Sequence, residues 1–310
     1  MSVLDQLEPH ARAYMEDLIR KGGKPLPELS LEAGRRFMRD SQHTPLEHPS
    51  ISVETIAAND VTLTSVRPMN SPQVLPAILY LHGGGWVLGG IETHARIVRE
   101  IAIRANAAVV FPHYARAPES PFPAAFEQCS AALEWLQSHA AAHAIDPTRL
   151  AIAGDSAGAN LAAAIALAAG PQFRLQALLC PALHAVSATP SYKQFAEGLN
   201  LTQDAMQWFW SQYVPNPSDH SDPRASPLLA AQSVLADASP AIIITAECDI
   251  LRDEGEAYAH RLAQAGVSVT AIRFLGTLHN FIVLDDLADS GPAISALSLI
   301  GDALKTALHI

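Results

Sequence analysis

Apolar and polar positions along this chain fall into two alternating patterns. Short, nearly unbroken apolar runs of strand length recur at Pro76–Leu81, Ala107–Pro112, Arg149–Ala153, Leu175–Cys180, Ala241–Ala246 and Val267–Phe274. Between them lie stretches read as helices: Thr93–Ala105, Ala124 to about Ala141, Ala159–Ala169, a helix closing at Gly266, and Gly291–Leu308. Strands that alternate with crossover helices predict a mostly parallel, doubly wound α/β sheet. Ser52–Ala58 and Val61–Arg67, separated by Asn59-Asp60, predict an antiparallel hairpin ahead of it.

Two segments break the alternation. Near the N-terminus Leu4, Leu7, Ala11, Tyr14, Met15, Leu18 and Ile19 recur at helical spacing, and a second helix is expected over Leu31–Arg39 with Ser30 as its N-cap. From about Ser187 to Ser226 the strand pattern stops. Thr202 is positioned to cap a helix, Gln203–Tyr213, that carries Met206, Phe209, Trp210 and Tyr213 on one face. That stripe reads equally as packing onto the core or as a lid lining a pocket. Farther on, Asp253 and Glu256 have capping-box spacing.

Composition narrows the partners. A chain of 310 residues suffices for one large domain with a full core. A net charge of −11 with no basic run weighs against nucleic acid or an anionic membrane surface. Met1–His10 holds Asp5 and Glu8 and lacks the apolar core of a signal peptide, and Ala157–Ala169 is too short to span a bilayer. Cys129, Cys180 and Cys248 are odd in number and flanked by apolar residues, so they read as core residues of a reducing compartment rather than a disulfide frame or metal site. The cytoplasm is the expected location.

The candidate chemistry sits at strand ends. Gly154-Asp155-Ser156-Ala157-Gly158 matches G-x-S-x-G between a strand and a helix, the context that holds a serine hydroxyl out on a sharp turn. His82-Gly83-Gly84-Gly85-Trp86 follows an earlier strand and suits an oxyanion hole, with N–H donors expected from Gly83, Gly84 and Ala157. No Gly-Lys-Ser/Thr follows, which argues against a phosphate loop. A serine nucleophile needs a base and an orienting acid later in the chain. Of the histidines after Ser156, His279 alone follows the last strand on a glycine-containing loop. For the acid, spacing prefers Asp249 and leaves Glu247 as the second carboxylate. This set implies acyl transfer through a covalent acyl-enzyme, with neither metal nor organic cofactor required.

In these motifs the chain resembles the hormone-sensitive-lipase-like branch of the α/β-hydrolases, the bacterial family IV esterases. The matching pieces are HGGGW at 82–86, YARAPE at 114–119, GDSAGAN at 154–160, DPRASPLL at 222–229, DILRDEG at 249–255 and the His279 loop. Residues Ala115, Arg116, Ala159, Ile250 and Asn280 depart from the family's usual choices, and none of these changes removes a catalytic group. The resemblance implies an α/β-hydrolase fold with a mostly parallel eight-stranded sheet and a helical cap. It divides the chain into cap helices (1–50), a first part of the core (51–186), a cap insertion (187–226) and a second part of the core (227–310). It also implies Asp249 as the acid, carboxylesterase activity on a small-molecule ester, and commonly a homodimer. Trp86, Phe195, Trp208, Phe209 and Trp210 are expected to enclose the pocket and to favour acyl chains of roughly two to eight carbons. An amide or arylamide deacylase uses the same constellation and is the nearest alternative. A non-catalytic ligand-binding protein on this fold would normally have lost a triad member.

Overall fold

The structure is a computed structural model that describes residues 2–309 except 59 and 72. The expected Asn59-Asp60 turn includes Asn59, which lies outside the described residues.

After a short 3₁₀ turn, α1 (Pro9–Lys21) starts with proline at its first position and with Glu8 accepting from the N–H groups of His10 and Ala11. Its inner face buries Ala11 and Met15 but leaves Ile19 exposed, so the apolar stripe is narrower than the spacing predicts. Helix α2 (Leu31–Asp40) is capped by the Ser30 hydroxyl. The hairpin follows as β1 (Ile51–Ala58) and β2 (Val61–Pro68), paired antiparallel.

The alternation then runs β3 (Leu75–Leu81), α3 (Ile91–Ala105), β4 (Ala108–Pro112), α4 (Ala124–His139), β5 (Ile145–Asp155), α5 (Ala157–Ala169) and β6 (Gln176–Leu179). The short α6 (Pro190–Gln194), then α7 (Gln203–Tyr213) and the short α8 (Gln232–Ala236), separate β6 from β7 (Ala241–Cys248). Helix α9 (Arg252–Gln264), β8 (Val269–Leu278) and α10 (Gly291–Leu308) complete the chain.

The sheet has eight strands in the order β1-β2-β4-β3-β5-β6-β7-β8. Only β2 runs against the rest of the sheet, pairing antiparallel with β1 and β4, and β3 through β8 run parallel. Central strands are apolar throughout because helices cover both faces; all seven residues of β3 are buried. The chain passes from β3 out to β4 and then back across β3 to β5. That reversal opens a crevice at the carboxyl ends of β3 and β5, the place where open α/β sheets bind ligands. No described helix is long and apolar enough to cross a membrane.

Two local expectations are corrected. The capping box at the start of α9 is absent: Asp253 instead accepts from the Ser191 N–H (2.7 Å) and from Arg252 (2.8 Å). Glu256 pairs with Arg273 and takes the Thr245 hydroxyl (3.1 Å). Also, β5 begins at Ile145, ahead of the expected start at Arg149. At α9 tertiary partners outweigh the local signal.

Candidate active site

The serine sits where β5 runs directly into α5. Ser156 has φ 51° and ψ −116°, a conformation that strains any residue with a side chain. The flanking glycines relieve the crowding this turn creates. A Cβ on Gly154 would lie 2.5 Å from the Gly158 carbonyl oxygen, and one on Gly158 would collide with the backbone of Leu81 on β3. The turn is anchored by Ser156 N–H donating to Leu179 O at 2.8 Å. From α5, Asn160 Nδ2 donates to the carbonyls of Ala182 and Ala225, both at 2.8 Å, pinning the segments on either side of α6 and α7.

His279 follows the end of β8, and Asp249 the end of β7. His279 Nε2 stands 3.0 Å from Ser156 Oγ, and its Nδ1 stands 2.8 Å from Asp249 Oδ2. A carboxylate only accepts, so the ring proton belongs on Nδ1, and Nε2 presents a lone pair to the serine hydroxyl. Asp249 is 2% exposed, and its other oxygen accepts from the Leu251 N–H at 3.0 Å. Asn200 Nδ2, from the stretch between α6 and α7, donates to the His279 carbonyl at 2.9 Å. Of the two carboxylates that spacing left open, Glu247 faces elsewhere: its Oε2 accepts from the Gly276 N–H at 2.7 Å.

The glycine loop after β3 differs from expectation in one donor. Gly83 N–H donates to Asp155 Oδ1 at 3.1 Å, with His94 Nε2 at 3.3 Å, so it is not available to a substrate oxygen. Among the described residues the N–H groups of Gly84 and Gly85 meet no acceptor, nor does that of Ala157 at the start of α5. Of the expected donors Gly83, Gly84 and Ala157, the structure takes Gly83 N–H for Asp155, and the N–H groups without an acceptor there are those of Gly84, Gly85 and Ala157.

The residue that claims Gly83 was missed by sequence reasoning. Asp155 is fully buried one position before the serine. Its Oδ1 accepts from Tyr80 Oη (2.9 Å) and lies 3.2 Å from His94 Nε2, while Oδ2 accepts from Asn280 Nδ2 (3.0 Å). Burial alone would raise its pKa, but His94 and the Tyr80 hydrogen bond outweigh it and hold the carboxyl below its ordinary value. Nearby, burial and then the His94 charge push His82 down to about 3, so it is a neutral ring stacked on Tyr114 at 4.2 Å. The signal was available: a tyrosine and a histidine at otherwise buried positions must find polar partners.

The aromatic residues expected around the pocket separate into two groups. Trp86 and Phe195 have no surface open to a water-sized probe, so neither can touch a substrate in this conformation. Trp86 is packed between Tyr213 (4.4 Å, stacked) and Trp210 (4.3 Å), and Phe195 lies under the Arg252 guanidinium at 5.4 Å. Trp208 lines an outer cleft with Pro25, Pro27 and Glu28. Phe209 alone reaches the glycine loop: its ring occupies the space where a Cβ on Gly85 (φ 62°) would stand. The α7 stripe is thus mostly core packing, with one ring at the site.

All three cysteines are buried and unpaired, as the flanking apolar residues predict. Cys180, however, lies beside the base and acid. One ligand atom from each of Cys180, Asp249 and His279 falls within 4.8 Å of the others, the single such His/Cys/Asp/Glu group among the described residues.

Comparison with known proteins matches residues 78–283 to a family described as having the alpha/beta hydrolase fold. The chain is similar to an ethyl acetate hydrolase of Pseudomonas putida, 35% identical over 317 residues covering 96% of this chain and 98% of that protein. It is also similar to the carboxylesterase NlhH of Mycobacterium tuberculosis, 37% identical over 290 residues and covering 90% of each. Among solved structures, a thermostable esterase from Pseudomonas putida superimposes with a TM-score of 0.94 at 40% identity, over 98% of both chains.

Proposed function

This chain belongs to the hormone-sensitive-lipase-like branch of the α/β-hydrolase family and is a carboxylic ester hydrolase, and from that premise we propose how its residues carry the reaction. Ser156 Oγ attacks the ester carbonyl while His279 Nε2 takes its proton. Asp249 holds the ring in the required tautomer and stabilises the imidazolium that forms. The tetrahedral oxyanion is held by the N–H groups of Gly84, Gly85 and Ala157, the last aided by the positive end of α5. His279 returns the proton to the departing alkoxide. It then activates a water that releases the acid from Ser156.

The observation that carries this reading is the unbroken hydrogen-bonded chain from Ser156 through His279 to Asp249 at 3.0 and 2.8 Å. Its three members come from the ends of β5, β8 and β7. Residues 1–50 and 187–226 act as the cap, with Phe209 as the wall nearest the carbonyl. A wall so close to the hole favours acyl groups of roughly two to eight carbons over long lipids. The test is hydrolysis of p-nitrophenyl esters from acetate to palmitate by wild type and Ser156→Ala. Cleavage of short esters that disappears in the variant supports the assignment; a folded wild type inert across the series, or an active variant, refutes it.

A further inference from the structure

Cys180 ends the β6 segment with φ 44°, in the left-handed region that a cysteine adopts only under constraint. Its backbone N–H donates to Ile244 O at 2.8 Å, fixing the residue against β7 just where that strand leads into the Asp249 loop. The side chain is 1% exposed. Nothing in ester hydrolysis uses a thiol there, because nucleophile, base, acid and oxyanion donors are already supplied by other residues.

We propose that Cys180, Asp249 and His279 form an inhibitory site for a thiophilic divalent cation such as Zn²⁺ or Cd²⁺. One sulfur, one carboxylate and one imidazole make a ligand set suited to these ions. Their ligand atoms lie within 4.8 Å of one another, with His279 Nδ1 and Asp249 Oδ2 at 2.8 Å; tetrahedral zinc separates such atoms by about 3.5 Å, so the widest gap closes by about 1 Å while the histidine–aspartate pair opens by somewhat less. Charge favours the bound state. On binding, the ion takes His279 Nδ1 and the ring proton moves to Nε2, the thiol proton leaves to solvent, and the thiolate and the Asp249 carboxylate together neutralise the dication.

Entry follows the route an ester takes, because His279 is 6% exposed beside Ser156. The bound ion occupies a ring nitrogen and the carboxylate, so the base can no longer accept the serine proton. The site is thus a reversible off-state built into the acid–base pair.

The loss of activity rests on the function proposed above, but the binding does not. Apo enzyme is titrated with Cd²⁺ while the ultraviolet cadmium–thiolate absorption is followed, in wild type, Ser156→Ala, Cys180→Ser, Cys180→Ala and the control Cys129→Ser. The expected result is one cadmium–thiolate per chain in wild type, Ser156→Ala and Cys129→Ser, and none in either Cys180 variant. In parallel, Zn²⁺ should inhibit wild type reversibly with EDTA. Half-inhibition of the Cys180 variants, each against its own metal-free rate, should need about tenfold more zinc or higher. Absorption that persists without Cys180, or that is absent from wild type, overturns the proposal. Absorption present in a Ser156→Ala protein that retains esterase activity would instead sink the catalytic assignment and leave the metal site standing.

Discussion

Asn280 donates from Nδ2 to Asp155 Oδ2 at 3.0 Å, joining the residue after the base to the residue before the nucleophile. The same carboxylate takes the Gly83 N–H, so one buried anion ties together the nucleophile turn, the glycine loop and the His279 loop. Asn280 has φ 57°, where asparagine is tolerated almost as well as glycine. Its amide is what it adds. Asn280→Gly should therefore keep the backbone and lose only the tether, lowering kcat about tenfold with little change in KM. A hydrogen bond to a charged group is worth about 1.5–3 kcal/mol, and thermal unfolding should show a loss within that range. An unchanged kcat would mean that the tether does not position His279.

The two carboxylates after β7 separate cleanly in kinetics. Asp249→Asn should cut kcat by about 10⁴, because the ring loses the partner that fixes its tautomer. Glu247→Gln should leave kcat within about threefold, since the Gly276 N–H can still find an amide oxygen. Steady-state rates on a short p-nitrophenyl ester decide it, and equal losses in the two variants would contradict the assignment.

The contact of Phe209 with Gly85 makes the acyl wall and the oxyanion loop mutually dependent. Gly85→Ala should abolish most activity, because its Cβ would need the space of the Phe209 ring. Phe209→Ala should cost about 3–5 kcal/mol in denaturant unfolding, as expected for deleting a buried phenyl ring. It should also move the chain-length optimum towards longer acyl groups. A double variant, Gly85→Ala with Phe209→Ala, should recover part of the activity that the first lost. No recovery would show that the glycine is required for its dihedral angles alone.

Glu254 gives a pH dependence. It is fully buried, its Oε1 accepts from the Leu183 N–H at 2.8 Å, and burial raises its pKa from 4.5 to about 8. Ser187, Asp249 and the buried Tyr192 also bear on it. The folded state therefore holds a proton that the unfolded state releases above about pH 4.5. Wild-type stability should fall as pH rises from that value and level off once Glu254 ionises near pH 8. Glu254→Gln removes this titration. It should be more stable than wild type by a few kcal/mol at pH 9, with the gap closing towards pH 5. A gap that does not vary with pH would place the burial penalty elsewhere.

Much of this was legible in the chain. The strand–elbow–helix at Ser156 and the glycine loop after β3 stand out because each demands unusual backbone geometry, and few residue types supply it. Helix α10 was bounded correctly because a serine cap, a proline and a long apolar face agree. The misread features share a cause. Motif spacing makes Gly83 an oxyanion donor because it is blind to Asp155, a partner 72 residues away. Asp253 and Glu256 have capping-box spacing, yet Ser191 and Arg273 offered them stronger partners. Trp86 and Phe195 are aromatic and near the motifs, but periodicity cannot tell a ring that faces a cavity from one sealed in packing. Short-range rules fail where a distant residue competes for the same polar group.

The placement of β6 between β5 and β7 bears on how the enzyme matures. The nucleophile and the oxyanion loop are carried by neighbouring strands in the first half of the chain, whereas acid and base arrive on the last two strands. The Ser156–His279 contact, 123 residues apart in sequence, cannot form until the two intervening strands, β6 and β7, are seated. During refolding, the return of catalysis should lag the return of secondary structure, since it waits on the most distant loop to close. Activity in this protein is thus a clock for the final assembly step rather than for collapse.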